Sequence, residues 1–212
     1  MLSHRDIIEA RYRTHKEINF TQYPSNLLID RYLSKVIEPN DLRNKVILEI
    51  GAGCSSYKTV FLSSGCKKYY ANDLILERLV ASRDIDPRYF EMPGDFLDVS
   101  FPESMDIIFA SLTMMFVQPY LQDFIKKINN SLDKGGLFIS MDPNYLCPLS
   151  AYRRFSDLNS NPARLFNPFS YAESFREQGF EIESLAPFTA NYPKIGNNWL
   201  LGTNFWLKAR KK

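Results

Sequence analysis

The sequence predicts an α/β fold: a mostly parallel sheet of seven strands, with helices on both faces and an antiparallel last strand. Two patterns predict it. Short apolar runs alternate with helical stretches from residue 46 to residue 178, which is typical of parallel strands joined by crossover helices. After Gly179, two further apolar runs have no good helix between them, which favours a closing antiparallel pair.

Each element has a local signal. The apolar run 46–50 has the length of a fully buried parallel strand, and the later runs repeat this pattern. Strands are expected at 46–50, 69–72, 88–91, 105–111, 132–139, 180–185 and 203–209. Helices are expected at 57–64, 75–83, 119–132 and 169–178.

Residues 1–43 are predicted to form an N-terminal helical cap in front of a domain that spans 44–212. Ser3 with Asp6 indicates a helix start, and a second helix is expected to begin near Pro24 and to end before Pro39. Both helices carry apolar residues on one side, so we expect them to pack on the core.

Length and composition indicate one domain with one core. The chain has 212 residues, of which 45% are hydrophobic, as a globular protein of this size requires. Its formal net charge of +2 is too close to neutral to bring the protein onto a polyanion, which demands a concentrated basic face. We therefore expect no nucleic-acid partner.

The three cysteines, Cys54, Cys66 and Cys147, are sparse and lack paired spacing. This usage argues against a disulfide framework or a zinc site and favours a reducing cytoplasm. No run approaches the roughly 20 apolar residues of a membrane-spanning helix, and the start lacks the apolar stretch of a signal peptide. We expect a cytoplasmic protein with no membrane span.

A glycine turn follows the first predicted strand. Gly51 and Gly53 allow the backbone to turn sharply with nothing projecting toward a ligand, so a cofactor could lie against bare main chain. Glu49 precedes them within the buried run, where a carboxylate requires a polar partner such as a ligand hydroxyl or ammonium.

Two further acidic residues follow at an even interval. Asp73 lies 20 residues past Gly53, where the second strand of a βαβ unit would place a carboxylate facing a ribose. Asp95 follows Gly94 after the third predicted strand. Because each acid ends its own apolar run, we expect all three carboxylates at one edge of the sheet.

In these residues the chain resembles the class I S-adenosylmethionine-dependent methyltransferases, over roughly residues 44–212. In that family an acidic residue and a glycine pair end the first strand, as Glu49, Gly51 and Gly53 do here. Many members carry a third loop glycine where this chain has Ser55. The resemblance implies a Rossmann-like fold, methyltransferase activity and S-adenosyl-L-methionine as the cofactor.

The resemblance also implies individual roles. Asp73 would bind the ribose hydroxyls, Asp95 would meet the adenine amino group, and Phe96 would form a wall for the adenine ring. The full cofactor-binding set that it implies is Glu49, Gly51, Ala52, Gly53, Asp73, Leu74, Asp95, Phe96 and Ser111.

Two regions are candidates for recognising the acceptor. The first is the N-terminal segment, in which Tyr12 is a candidate contact and His15 a candidate general base, because imidazole titrates near neutral pH. A lone histidine on a polar helix face is also commonly just exposed.

The second region is the long link 143–168, interpreted as a substrate-side insertion. It is aromatic and rich in arginine, with Tyr145, Tyr152 and Arg153 as candidate substrate residues. Its arginines would suit a carboxylate or phosphate on the acceptor. The alternative is a lid that only packs over the sheet.

The expected chemistry is narrowed by two missing patterns. Residues 111–116 lack the Asn/Asp-Pro-Pro-aromatic signature for planar amides and exocyclic amines, and no acidic set of the magnesium-dependent catechol type is visible. We therefore expect metal-free, in-line methyl transfer to a small metabolite, with oxygen the slightly favoured atom. Close alignment of the reactants would supply much of the acceleration.

Two other functions stay open. A nicotinamide-dependent oxidoreductase would also use a glycine loop and an acidic strand end, but it normally needs a third glycine where this chain has Ser56. A non-catalytic regulator or partner protein with the same fold would be signalled by a site that the N-terminal segment blocks.

Overall fold

A computed structural model describes residues 36–53, 57–81, 85–156, 165–188 and 198–212, together with the single positions Asp6 and Leu33. For residues 81 and 153–156 only the backbone is described. Most of the predicted N-terminal cap therefore lies outside the described residues. Its last turn is present: the Ile37 N–H donates to the Leu33 carbonyl at 2.9 Å, and both side chains are buried in the core.

The strands agree closely with the predicted ones. They are β1 (Val46–Ile50), β2 (Lys68–Asp73), β3 (Tyr89–Pro93), β4 (Met105–Ser111), β5 (Leu132–Pro143), β6 (Phe180–Phe188) and β7 (Asn204–Lys211). The described helices are α1 (Pro39–Leu42), α2 (Lys58–Ser63), α3 (Leu76–Ala81), α4 (Leu121–Ser131), α5 (Pro148–Ser156) and α6 (Pro168–Glu177). Two 3-10 turns, Met114–Phe116 and Gln118–Tyr120, lie between β4 and α4.

The seven strands form one sheet in the order β3-β2-β1-β4-β5-β7-β6. Strands β1 to β5 pair in parallel, and β7 runs antiparallel to both β5 and β6. The predicted fold class is thus confirmed. The strand order reverses between β1 and β4, and in open α/β sheets ligands bind outside the carboxyl ends of the strands at such a point.

Alternate residues of the strands feed two apolar layers, one on each face. On one face, Leu48 and Ile108 join side chains of α4 and α6. On the other face, Ile47 and Phe109 belong to a buried cluster that includes Phe61 of α2 and Leu79 of α3. Because both faces are covered, the central strands are apolar throughout, which is why they are recognisable in the sequence.

The link after the fifth strand differs from the prediction. The sequence analysis assigns no helix to the link 143–168, but β5 extends to Pro143 and the nine-residue helix α5 follows. Strand β5 is longer than its apolar run because β7 continues to pair with it as far as Pro143↔Asn204. Residues 157–164 lie outside the described part of the link.

Candidate cofactor and acceptor site

The glycine loop begins directly after β1. Gly51 and Gly53 have φ angles of +67° and +52°, a region in which side chains with a Cβ are strained. Gly51 is also required by space, since a Cβ there would lie 2.3 Å from the Oγ1 of Thr113. A Cβ at Gly53 would lie 3.7 Å from an Asp73 carboxylate oxygen, an ordinary contact. The loop therefore presents main chain, with no side chain, on the side of Gly53 that faces Asp73.

Asp73 ends β2 and holds this loop. Its Oδ2 accepts the Gly53 N–H at 2.8 Å, and its Oδ1 accepts the Ile75 N–H at 2.8 Å. Burial raises the pKa of Asp73, while the two backbone N–H groups and the positive charge of Arg78 oppose the rise. Each carboxylate oxygen has a second lone pair, so Asp73 can still accept two vicinal hydroxyls.

Asn72, in β2, forms hydrogen bonds with the glycine loop after β1 and with the end of β3. The sequence analysis did not single it out. Its backbone carbonyl accepts the Ala52 N–H at 2.9 Å, which ties β2 to the glycine loop. Its side-chain amide donates to the carbonyls of Met92 at 2.7 Å and Gly94 at 3.0 Å, which ties β2 to the end of β3. The one available signal was its place next to the predicted ribose acid.

The third predicted acid follows β3 at the same edge. The Gly94 N–H donates to the Asp73 carbonyl at 3.0 Å, so Asp95 directly follows a residue that is fixed to the end of β2. Its Oδ1 accepts the Leu97 N–H at 3.0 Å. Phe96 is 3% exposed and packs against Phe101 and Phe124 in the core. Its role as a wall for the adenine ring stays a prediction.

The first predicted acid has a protein partner that the sequence did not reveal. Glu49 is 3% exposed, and its carboxylate accepts a hydrogen bond from the hydroxyl of Tyr69 on the neighbouring strand. The polar partner that a buried Glu49 requires is thus supplied in part by the protein itself. Its contact with a cofactor stays a prediction.

The end of β4 faces the glycine loop. Leu112 has a φ of +54°, unusual for a residue with a side chain, and its N–H donates to the Met141 carbonyl at 2.7 Å. This turn brings the Thr113 side chain onto Gly51. The Ser111 hydroxyl lies 3.3 Å from the hydroxyl of Tyr57, whose pKa is raised well above its ordinary value by burial. Tyr57 therefore stays protonated at neutral pH.

Asp142, near the end of β5, carries a buried carboxyl that the sequence analysis did not single out. Its Oδ1 accepts the Met115 N–H at 3.2 Å and so fixes the 3-10 turn after β4. Its Oδ2 is buried with no hydrogen-bond partner. Burial raises the pKa of Asp142 to about 7, and the Met115 N–H only partly offsets the effect.

The candidate acceptor residues are only partly described. Tyr145 lies in the turn after β5 and Tyr152 on α5, and their side chains are 51% and 71% exposed. Arg153 lies on the same helix, but its side chain is outside the described part. The predicted roles of Tyr12 and His15 also fall outside the described residues.

Neither a metal cluster nor a membrane-spanning helix is found among the residues described above. No group of three or more His, Cys, Asp or Glu side chains there could hold a metal ion. No helix in the same ranges is long and apolar enough to cross a membrane.

Comparison with known proteins shows what part of the chain is similar to. Residues 48–140 match the family described as "Methyltransferase domain", and this segment runs from β1 through the glycine loop to β5. The match includes the glycine loop and the acidic residues Glu49, Asp73 and Asp95.

Solved methyltransferases share the whole architecture. The enzyme from Mesorhizobium loti has a TM-score of 0.71 at 16% identity and covers 87% of this chain and 98% of its own. The enzyme from Clostridium acetobutylicum ATCC 824 has a TM-score of 0.70 at 12% identity, with 96% and 98% covered. Magnesium protoporphyrin IX methyltransferase from Synechocystis PCC 6803, solved with bound SAH, has a TM-score of 0.68 at 12% identity, with 98% and 94% covered. At these identities the likeness establishes the fold.

Gly51→Ala tests whether the glycine loop binds the cofactor. The added Cβ would clash with Thr113, and alanine would be strained at this positive φ. We therefore expect S-adenosylhomocysteine to bind at least about tenfold more weakly, a change of about 1.4 kcal/mol. Gly135→Ala is the matched control, because Gly135 has a φ of +78° and nothing within 4 Å of a Cβ. Calorimetry on both variants measures their affinity for S-adenosylhomocysteine. Equal affinities in the two variants would contradict the assignment of the glycine loop to cofactor binding.

Asp142→Asn tests the buried carboxyl. Because the pKa of Asp142 is about 7 in the folded protein and ordinary in the unfolded chain, its contribution to stability is present at acid pH and lost as pH rises toward 7. We expect the free energy of unfolding to fall by up to about 1.4 kcal/mol per pH unit between pH 5 and 7.

The amide that replaces the carboxyl in the Asp142→Asn variant would mimic the neutral acid and cannot ionise. Denaturant titrations at pH 5, 6, 7 and 8 should therefore show a shallower decline for the variant than for the wild type. Parallel pH profiles for the two proteins would show that Asp142 ionises normally.

Proposed function

We propose that this protein is an S-adenosylmethionine-dependent methyltransferase that transfers a methyl group to a small metabolite by metal-free, in-line attack, with oxygen the favoured acceptor atom. One observation carries the proposal. The bare glycine main chain, the Asp73 carboxylate and the end of β4 lie together where the strand order reverses. This combination fits a cofactor with a ribose and a reactive group beyond it.

The residues present fit S-adenosylmethionine. Gly51 and Gly53 leave the loop open to close approach, and Asp73 retains the lone pairs that two ribose hydroxyls need. Asp95, at the end of the neighbouring strand, would accept from the adenine amino group. Glu49, Ala52, Leu74, Phe96 and Ser111 complete the proposed cofactor-binding set. The bound cofactor supplies an electrophilic methyl on a sulfonium.

This chain's own contribution is then alignment and exclusion of water. Tyr57 and Ser111 form a hydroxyl pair beside the loop, and the half-buried Tyr57 phenol can donate but not act as a base at neutral pH. Holding the acceptor oxygen in line with the methyl group can supply much of the acceleration without a strong base. His15 is the candidate base if one is used.

The acceptor is proposed to bind near Tyr12, Tyr145, Tyr152 and Arg153. A small metabolite suits this site better than nucleic acid, given the near-neutral chain. The Synechocystis relative is named for magnesium protoporphyrin IX, which is a small molecule. The arginine on α5 would suit an anionic group of the acceptor.

Ligand titration tests the cofactor. We expect calorimetry to detect S-adenosylhomocysteine binding and no saturable NAD binding. Asp73→Asn removes the charge that the ribose hydroxyls require, so affinity should fall by about 1.5–3 kcal/mol, or roughly 10- to 100-fold. Asp98→Asn, at an exposed acid just beyond Asp95, should leave affinity unchanged. NAD binding without S-adenosylhomocysteine binding would overturn the proposal.

Two variants test the acceptor residues. Arg153→Ala and His15→Ala should each reduce methyl transfer at least about tenfold while S-adenosylhomocysteine affinity stays within twofold, because both residues are proposed to contact only the acceptor. Release of S-adenosylhomocysteine during a screen of metabolite extracts provides the assay. Full activity in both variants would place the acceptor elsewhere, and full cofactor binding with no transfer to any extract would favour the non-catalytic alternative.

A further inference from the structure

Three stretches near the carboxyl end of β5 carry no charged side chain. They are 143–152, 165–172 and 198–207. Each stretch includes large hydrophobic side chains that are exposed.

The structure ties the three stretches together. The Asn144 amide donates to the carbonyls of Trp199 and Gly202, both at 2.8 Å. The Ser150 hydroxyl donates to the Thr203 carbonyl at 2.9 Å. The rings of Phe169 and Trp199 lie 5.0 Å apart, centre to centre.

The surface that results is apolar and exposed. Six of the eleven exposed large hydrophobic side chains in the described residues lie in these stretches, each between 48% and 71% exposed. We call them the apolar rim: Tyr145, Leu149, Tyr152, Phe169, Leu200 and Leu201. Clustered exposure of this kind marks a binding surface, whereas scattered exposed hydrophobic residues are normal.

Two polar side chains within these stretches, Asn144 and Ser150, are already satisfied within the protein. Asn144 uses both amide hydrogens on carbonyls, and its oxygen accepts the Leu146 N–H at 2.9 Å. The Ser150 hydroxyl donates to the Thr203 carbonyl. Apart from the hydroxyls of Tyr145 and Tyr152, the six rim side chains offer apolar contact.

The rim lies at the same edge of the sheet as the glycine loop. Tyr145 and α5 follow the carboxyl end of β5, and Leu200 and Leu201 precede β7, whose first residue pairs with Pro143 at that end. Strands β5 and β7 lie two and three places from β1. At about 4.8 Å per strand, the carboxyl end of β5 and the start of β7, which the rim follows and precedes, lie roughly 10 Å and 14 Å from the end of β1.

We propose that the acceptor is an amphiphile whose apolar portion lies on the apolar rim, roughly 10 Å or more from the glycine loop, while its reactive atom reaches the methyl group. This inference rests on the proposed function, because it names the substrate class of that site. The continuity of the rim with the cofactor edge favours a small molecule that spans both over a membrane or a protein partner.

Dye binding and displacement test the proposal. With saturating S-adenosylhomocysteine, 1-anilinonaphthalene-8-sulfonate should bind the full-length protein saturably, and decanoate should displace it while butyrate at the same concentration should not. Leu149→Ser and Leu201→Ser should each raise the dye's dissociation constant at least fivefold. Both residues are exposed, so S-adenosylhomocysteine affinity within twofold of wild type will show that the fold is intact.

Phe90→Ser is the matched control. Phe90 is exposed too, but it lines a separate cavity of about 800 Å³ beside β3, together with Tyr70 and Phe101. Its replacement should leave dye binding at the rim unchanged. If only Phe90→Ser raises the dissociation constant of the dye, or if the dye does not bind saturably, the inference is wrong.

Two more outcomes separate the alternatives. If phosphatidylcholine vesicles retain the wild type and release the rim variants while decanoate has no effect, the rim is a membrane contact and the inference is overturned. If S-adenosylhomocysteine binds but decanoate does not displace the dye, this inference fails and the proposed function stands. If S-adenosylhomocysteine itself does not bind, the proposed function fails.

Discussion

Asn72 and Asp73, at the end of β2, hold the loops that follow the first three strands through hydrogen bonds to main-chain groups. Asp73 accepts from Gly53 and Ile75, and Asn72 donates to Met92 and Gly94. A buried donor or acceptor without a partner is costly, so the loops around β2 are held in one geometry. The geometry of the proposed cofactor surface therefore depends on the hydrogen bonds that Asn72 and Asp73 make at the end of β2.

At the end of β4, on the other side of the point where the strand order reverses, a strained backbone turn holds the loop. Leu112 adopts a left-handed backbone conformation, held by its hydrogen bond to Met141, and this turn places Thr113 on Gly51. Asp142 fixes the next turn through Met115. Strained or incompletely satisfied groups persist only where the surrounding structure over-determines them, and they cluster at functional sites. Both occur here at the end of the sheet where the acceptor is proposed to meet the methyl group.

The sequence predicted the strands well because their positions are dictated locally. Buried parallel strands appear as continuous apolar runs, and β4 was predicted at its observed bounds. Features that depend on distant pairing were missed. The extension of β5 to Pro143 needs β7, and the contacts of Asn72 and Glu49 are made with residues 20 or more positions away. Single-sequence patterns carry no signal for such contacts.

The two halves of the carboxyl edge differ in chemistry, and this difference follows from the strand order. Strands β1, β2 and β3 end in carboxylates and bare main chain, which suits a polar, charged cofactor. Strands β5 and β7 meet the same edge through segments without charged side chains. Because β4 lies between the two halves, a methyl group presented there would face the polar half on one side and the apolar half on the other. The reactive end of an acceptor would then point toward the carboxylates, and its apolar body would point away from them along the sheet edge.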